Sequence, residues 1–157
     1  MFTVDLGYYY LTNDTFACVI PELEIAYFSE MERLVLRGNS IDDDGLLDLC
    51  DALVGCHNTT LKELDISETQ ITDRGIGGLI EIMRKCIYTI CVVEIEGLRE
   101  VSKDMRDKLD AALRRNAIAT EKANTNKKYA RMAEAGKKRD AYDDMGLNYV
   151  GKDQLKL

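Results

Sequence analysis

The sequence contains no tryptophan, a single proline (Pro21) and a single histidine (His57). One loop histidine cannot assemble a Ser-His-Asp or Cys-His nucleophilic set. There is no GxxxxGK[ST] phosphate loop and no GxGxxG, so the common nucleotide cradles are excluded. Five cysteines (Cys18, Cys50, Cys56, Cys86, Cys91) include no CxxC pair. Cys56 beside His57 is half a zinc site without a second pair at ligand spacing. The run Asp42-Asp43-Asp44 lacks the alternating ligands and distal glutamate of a calcium loop. Neither enzymatic activity nor a cofactor or metal is expected. No apolar run approaches the length of a membrane span. A basic leader is missing and Asp5 interrupts the first apolar run, so neither a signal peptide nor an Arg-rich presequence is expected. An odd number of reduced thiols points to an intracellular, reducing compartment.

What the sequence does have is a repeat. Leu34, Leu36, Ile41, Gly45 and Leu49 return thirty residues later as Leu64, Ile66, Ile71, Gly75 and Leu79. A period of this length marks a solenoid or an array. Leu34-x-Leu36 has period two, so both side chains leave one face of a short strand. Asn39 turns the chain, and its amide can satisfy backbone groups beyond the strand ladder. Asp42-Asp43-Asp44 suits a helix N-terminus. Leu46, Leu49, Cys50 and Leu53 then form one helical stripe, which Gly55 ends. Such a unit is too small to bury its own apolar face, and stacking copies buries it.

These residues carry a resemblance. Leu34-x-Leu36-x-x-Asn39-x-Ile41-x-x-x-Gly45-x-x-x-Leu49 resembles the long leucine-rich repeat of the ribonuclease-inhibitor type. The second copy, through Gln70-Ile71-Thr72-Asp73-Arg74-Gly75-Ile76, also resembles the cysteine-containing variant, with Thr69 in the asparagine position. The resemblance implies an α/β fold: a short leucine-rich-repeat solenoid, with parallel strands on the concave side and helices on the convex side, followed by a C-terminal helical or extended tail.

The template extends both ways. Val4 and Leu6 fit it thirty residues before Leu34, with Tyr9 in the asparagine position and Phe16, Val19, Ile20 and Leu23 as the helical stripe. Pro21 is expected to shorten or kink that helix. Val93 begins a divergent fourth repeat whose helix places Val101, Met105, Leu109, Ala112 and Leu113 at core spacing. Tyr8-Tyr9-Tyr10 is either a core filler with two surface rings or a contact patch. A first repeat without a polar cap leaves a strand edge and an apolar flank open, to be covered by a partner, a second copy or the tail. The expected domains are residues 1–117, with about four repeats, and a basic polar tail over 118–157, with an exposed helix broken near Gly136.

Charge divides along the same line. Residues 1–100 carry 19 acidic and 7 basic side chains, whereas 101–157 carry 9 acidic and 14 basic. Alternation along the strands nominates a protein-binding concave face of Asp5, Tyr8, Arg33, Val35, Arg37, Glu63, Asp65, Glu68, Glu94 and Glu96. The tail nominates an anchor of Arg114, Arg115, Lys127, Lys128, Arg131, Lys137, Lys138 and Arg139 with Tyr142 and Tyr149. The expected partners are other proteins of a large complex, including an acidic surface such as tubulin's for the tail. Nucleic acid is disfavoured by the net charge of −7 and by Tyr129 being the only ring among the basic residues. The expected function is a non-catalytic structural or scaffold subunit, and compact repeats with helical tails resemble ciliary and cytoskeletal components. Localisation follows as cytoplasmic or ciliary. A second resemblance, through Asp43-Asp44-Gly45-Leu46-Leu47, Ile71-Thr72-Asp73-Arg74-Gly75-Ile76 and Gly97-Leu98-Arg99-Glu100, is to the ATP-synthase-associated factor B family, implying a mitochondrial assembly factor. A ubiquitin-ligase substrate adaptor is the third reading.

Overall fold

The computed structural model describes residues 1–144, with side chains as far as 137. Four strand–helix units follow in order: β1 (Thr3–Asp5) and α1 (Asn13–Ala26), β2 (Arg33–Val35) and α2 (Asp43–Gly55), β3 (Glu63–Asp65) and α3 (Asp73–Lys85), β4 (Val92–Glu94) and α4 (Lys103–Asp144). The strands form one parallel sheet in chain order, with Val4, Leu34, Leu64 and Val93 in register. Helices pack on helices alongside, α1 on α2 and α2 on α3. This is the short α/β solenoid with a C-terminal helix. Backbone contacts divide the chain into two units, Met1–Thr120 and Glu121–Leu157. The repeats and the start of α4 make the first, and the described part of the second is helix.

The core runs between the two layers. Leu34, Leu36, Ile41, Leu46, Leu49 and Leu53 of the second repeat are fully buried, as are Leu64, Ile66, Ile71, Ile76, Leu79 and Met83 of the third. The first repeat is less enclosed: Val4, Leu6 and Leu11 are only partly buried, because β1 has a neighbour on one side alone. Leu109, Ala112 and Asn116 of α4 face the core.

Two devices set the period of thirty. The first is a left-handed corner after each strand. Tyr8, Gly38, Glu68 and Gly97 all have positive φ, at 59°, 70°, 55° and 75°. Glycine adopts this region freely, whereas other L-residues do so at a cost of about 1–2 kcal/mol. The second links each helix start to the next. Asn13 Oδ1 accepts the Asp42 backbone N–H at 3.1 Å, Asp43 Oδ1 the Thr72 N–H at 2.8 Å and Asp73 Oδ1 the Ser102 N–H at 2.7 Å. Residues 42 and 72 are helix N-caps, and their own amides lie outside the helical ladder. The first residue of each helix thus satisfies the cap of the next. Asp43 also accepts the Thr72 hydroxyl at 2.6 Å and the Gly75 N–H at 3.0 Å. A Cβ on Gly75 would lie 2.4 Å from Asp43 Oδ1, and one on Gly45 would lie 2.5 Å from Asn13 Oδ1. That close approach explains the recurring glycine.

Asn39 behaves as its chemistry requires. Its amide donates to Leu36 O at 2.7 Å and Leu6 O at 2.8 Å and accepts the Leu11 N–H at 2.9 Å, tying the first turn to the second. Thr69, at the equivalent place, makes one bond, to its own repeat's Ile66 O at 2.7 Å.

Several local expectations are corrected. Helix α1 runs fourteen residues through Pro21; the carbonyl that Pro21 frees belongs to exposed Ala17, where water can satisfy it. Cys18 is exposed. Its equivalent in α3 is Gly78, where a Cβ would meet Leu47 of the preceding helix, and α1 has no preceding helix among the described residues. Tyr8, Tyr9 and Tyr10 are all exposed, so none fills the core. Helix α4 continues through Gly136 to Asp144, since one glycine costs a helix about 1 kcal/mol without ending it. Gly55 is the last residue of α2, and the left-handed cap position belongs to His57, with φ 51°. The Asn58 N–H bonds Leu53 O and the His57 N–H bonds Val54 O, both at 3.0 Å, a Schellman closure.

Two substitutions test these devices. Asp43→Ala strands the Thr72 and Gly75 amides and should cost about 1–3 kcal/mol, read by thermal denaturation. Asp43→Asn, which copies Asn13, should cost clearly less; equal losses would refute the link. His57→Gly should raise stability by about 0.5–1 kcal/mol by removing left-handed strain, read as a higher urea midpoint.

Candidate functional site

Side chains on the strand face alternate with the core residues, so period two places them in rows across the sheet. Arg33 on β2 pairs with Glu63 on β3 at 3.1 Å and with Glu94 on β4 at 3.0 Å. Two residues past β2, Arg37 pairs with Glu68, and with Glu96 at 3.0 Å. Its Nε donates to the Tyr8 hydroxyl at 3.1 Å, and that hydroxyl donates to Glu68 Oε2 at 3.0 Å. Lys62 pairs with Glu32. The Tyr8, Arg37, Glu68 and Glu96 cluster thus draws one residue from each of the four repeats. Two of the four, Tyr8 and Glu68, stand at the left-handed corners that the other repeats fill with glycine.

The electrostatics follow. Glu68, with Tyr8 and Glu96, favours protonated Arg37 and shifts its pKa upwards. Arg37 first, then the Tyr8 hydroxyl, holds the Glu68 carboxyl below its ordinary value. Lys62 does the same for Glu32. The face is therefore a set of carboxylates arranged around two shared guanidiniums rather than a bare acidic surface. Each exposed pair is weak by itself, but the shared network fixes where the charges sit.

Of the residues nominated from sequence, Arg33, Arg37, Glu63, Glu68, Glu94, Glu96 and Tyr8 come together in these clusters. Val35 lies half-buried between them, and Asp5 is exposed. Asp65 departs from the expectation: it is buried, and its carboxylate accepts the Ser67 N–H at 3.0 Å. That turn hydrogen bond ties it to its own backbone. Asp5 makes the same bond to Gly7 at 2.9 Å. In the tail, Arg114, Arg115, Lys127, Lys128, Arg131 and Lys137 are exposed along α4. Lys138, Arg139 and Tyr142 fall within the same helix, and Tyr149 lies outside the described residues.

Sequence reasoning missed the convergence of Tyr8, Arg37 and Glu68 on one another. The signal was present: Tyr8 and Glu68 are sixty residues apart, two whole periods, and thus share one template position. The run Asp42-Asp43-Asp44 does open a helix, with Asp42 as its N-cap; that Asp43 serves the next helix was not read. Burial pushes the Cys50 thiol up to about 12, which makes it an inert core residue.

The repeat geometry has relatives. The family profile described as "Leucine Rich repeat" matches residues 31–50 and 57–79, the second and third units. No curated protein sequence matches the chain. Among solved structures, "Leiomodin-1 Actin-Binding Site 2 (ABS2)" superposes with a TM-score of 0.66 at 14% identity, over 83% of this chain and 89% of that one. At that identity the likeness is one of fold. Residues 31–50 and 57–79 thus match the leucine-rich repeat, and the four units are arranged as a short leucine-rich-repeat solenoid. No helix among the described residues is long and apolar enough to cross a membrane.

The lowered carboxylates make a prediction about acid. Arg84 and Lys85 bring Glu81 to about 2, against an ordinary 4.5. The Ser102 amide and hydroxyl lower Asp73. A carboxylate with a depressed folded pKa stabilises the fold above its unfolded pKa and loses that contribution as pH falls through the folded value. The contribution of Glu68 and Glu81 should therefore be intact from neutral pH to about 5 and be lost from about 4.5 downwards. In thermal melts followed by circular dichroism, the wild type should lose more stability over that acidic range than Glu68→Gln/Glu81→Gln. Equal slopes would show the pairs to be idle.

Proposed function

We propose that this chain is a non-catalytic structural subunit of a cytoskeletal assembly, held by its strand face and by the basic part of α4. The observation that carries the reading is the Tyr8–Arg37–Glu68–Glu96 ridge. It crosses all four repeats, lies on the strand face and places strained residues where glycine serves elsewhere. Strained corners that hold charged and aromatic side chains are a feature of recognition surfaces. The interleaved signs suit a partner segment with its own alternating charges, since paired carboxylates repel a wrong register as well as attract the right one.

The second element is the helix. Lys127, Lys128 and Arg131 are exposed, and among the described residues none pairs with a carboxylate. Free cations on a helix suit an acidic protein surface such as a filament presents. The actin-binding region named in the leiomodin structure supports a cytoskeletal setting. The period of thirty, with Gly45 and Gly75 at the helix starts, supports the ribonuclease-inhibitor-like subtype. A reducing cytoplasmic location, ciliary where the filament is a microtubule, accords with five free thiols.

The test is co-sedimentation with microtubules and, separately, with actin filaments. Full-length protein should pellet with one of them. Lys127→Glu/Lys128→Glu/Arg131→Glu should reduce the pelleted fraction at least tenfold, and Arg37→Ala/Glu68→Ala should weaken it without unfolding the chain. Failure to pellet with either filament would overturn the reading.

A further inference from the structure

The open flank of the first repeat is the most apolar exposed surface. Of twelve exposed large hydrophobic residues among those described, seven lie within residues 1–27. Phe2 and Tyr27 stack with ring centroids 5.9 Å apart, Ile25 is 83% exposed, and β1 offers an unpaired parallel edge beside them. On α1, Cys18 and Glu22 are exposed at i and i+4; at their places in α3, Gly78 and Ile82 are half-buried, and a Cβ on Gly78 would meet Leu47 of the helix before. In a solenoid, this is the surface against which another layer packs. Scattered apolar residues are ordinary, but a contiguous patch at a sheet edge marks an interaction site.

Charge decides what covers it. Residues 1–32 contain six acidic side chains and no lysine or arginine. Two such flanks meeting about a two-fold axis would set like charges against each other at close range, which disfavours a flank-to-flank dimer. The occupant must combine apolar groups with positive charge, and one described surface of this chain does so. Asn124, Lys127, Lys128, Arg131, Met132 and Ala135 share one face of α4. Residues three and four apart on a helix are neighbours, so Lys127–Arg131 and Lys128–Met132 make one patch of three cations and a flexible thioether. Met132 is 59% exposed, and methionine adapts its shape to an irregular apolar surface.

We propose that this helix face of a second copy docks on the first-repeat flank, so that the protein self-associates through two different surfaces. Each copy then offers one free flank and one free helix. Such a heterologous contact extends into open chains unless its rotation happens to close a ring. The inference stands apart from the cytoskeletal reading, because it is read on the purified protein with no filament present.

Sedimentation velocity of the full chain tests it. At about 0.05 M salt the average mass should rise with concentration beyond that of a dimer, and by about 0.5 M salt it should fall back to the monomer as screening shortens. Glu22→Lys/Glu30→Lys on the flank should abolish the association, and so should Lys127→Glu/Lys128→Glu/Arg131→Glu on the helix. Neither set touches the core, because Glu22, Glu30 and the three cations are exposed. Mixing the two variants should restore association between them, since one then has a basic flank and the other an acidic helix. Ile25→Ser should weaken association at least threefold at about 0.05 M salt. A monomer at every concentration, a dimer indifferent to the helix substitutions, or no rescue on mixing would overturn the proposal.

Discussion

Everything in the first unit depends on how one helix start is joined to the next. The first residue of each helix accepts the amide of the following N-cap: Asn13 to Asp42, Asp43 to Thr72, Asp73 to Ser102. An N-cap amide buried between packed helices and left unpaired costs about as much as a lost hydrogen bond. The link therefore fixes the rise from one repeat to the next, and so the register in which the strands meet. It also dictates composition. The accepting side chain fills the space where a Cβ would stand two residues into the next helix, hence Gly45 and Gly75. At the outer repeats the same place holds Thr15 and Met105. Thr15 closes a capping box with Thr12 inside its own repeat.

Once the register is set, the strand face inherits its chemistry. Neighbouring strands lie about 4.8 Å apart, so a guanidinium reaches the carboxylates on the next two strands. Arg33 and Arg37 can thus each hold two acids from different repeats. The face is strongly charged yet internally matched. What it presents outwards is a pattern of charge with a net acidic excess, four carboxylates on two guanidiniums. The described part of the second unit presents the opposite: cations without partners on an exposed helix.

Much of the fold is legible in the sequence because the core residues obey two periods at once, two along each strand and thirty between repeats. Leu34/Leu64 and Leu49/Leu79 establish both. What the sequence concealed depended on neighbours rather than on pattern. Cys18 is exposed, and its counterpart in α3, Gly78, is half-buried where a Cβ would meet Leu47 of the preceding helix. The helix ends at Gly55, but the left-handed cap position falls two residues further on, at His57. Asp65 alternates as an outward residue should, but its short side chain turns back onto the Ser67 amide, as aspartate does at turns. That Arg33, Glu63 and Glu94 share the strand face was legible from alternation. The pairing within it was not, because Arg33 reaches Glu94 diagonally across two strands, and no linear spacing encodes a diagonal.

The uneven enclosure of the core has a dynamic consequence. Val4, Leu6 and Leu11 are partly open, while their counterparts in the two middle repeats are sealed on both sides. Stability in a stacked array is close to a sum of nearest-neighbour terms, and the first unit has one neighbour where the middle ones have two. Native-state fluctuations should therefore begin as fraying of β1 and α1, with the middle repeats as the last cooperative block to open. The surface best placed to recruit another layer is also the part of the solenoid that holds its own shape least tightly, so whatever settles on it also completes the folding of the first repeat.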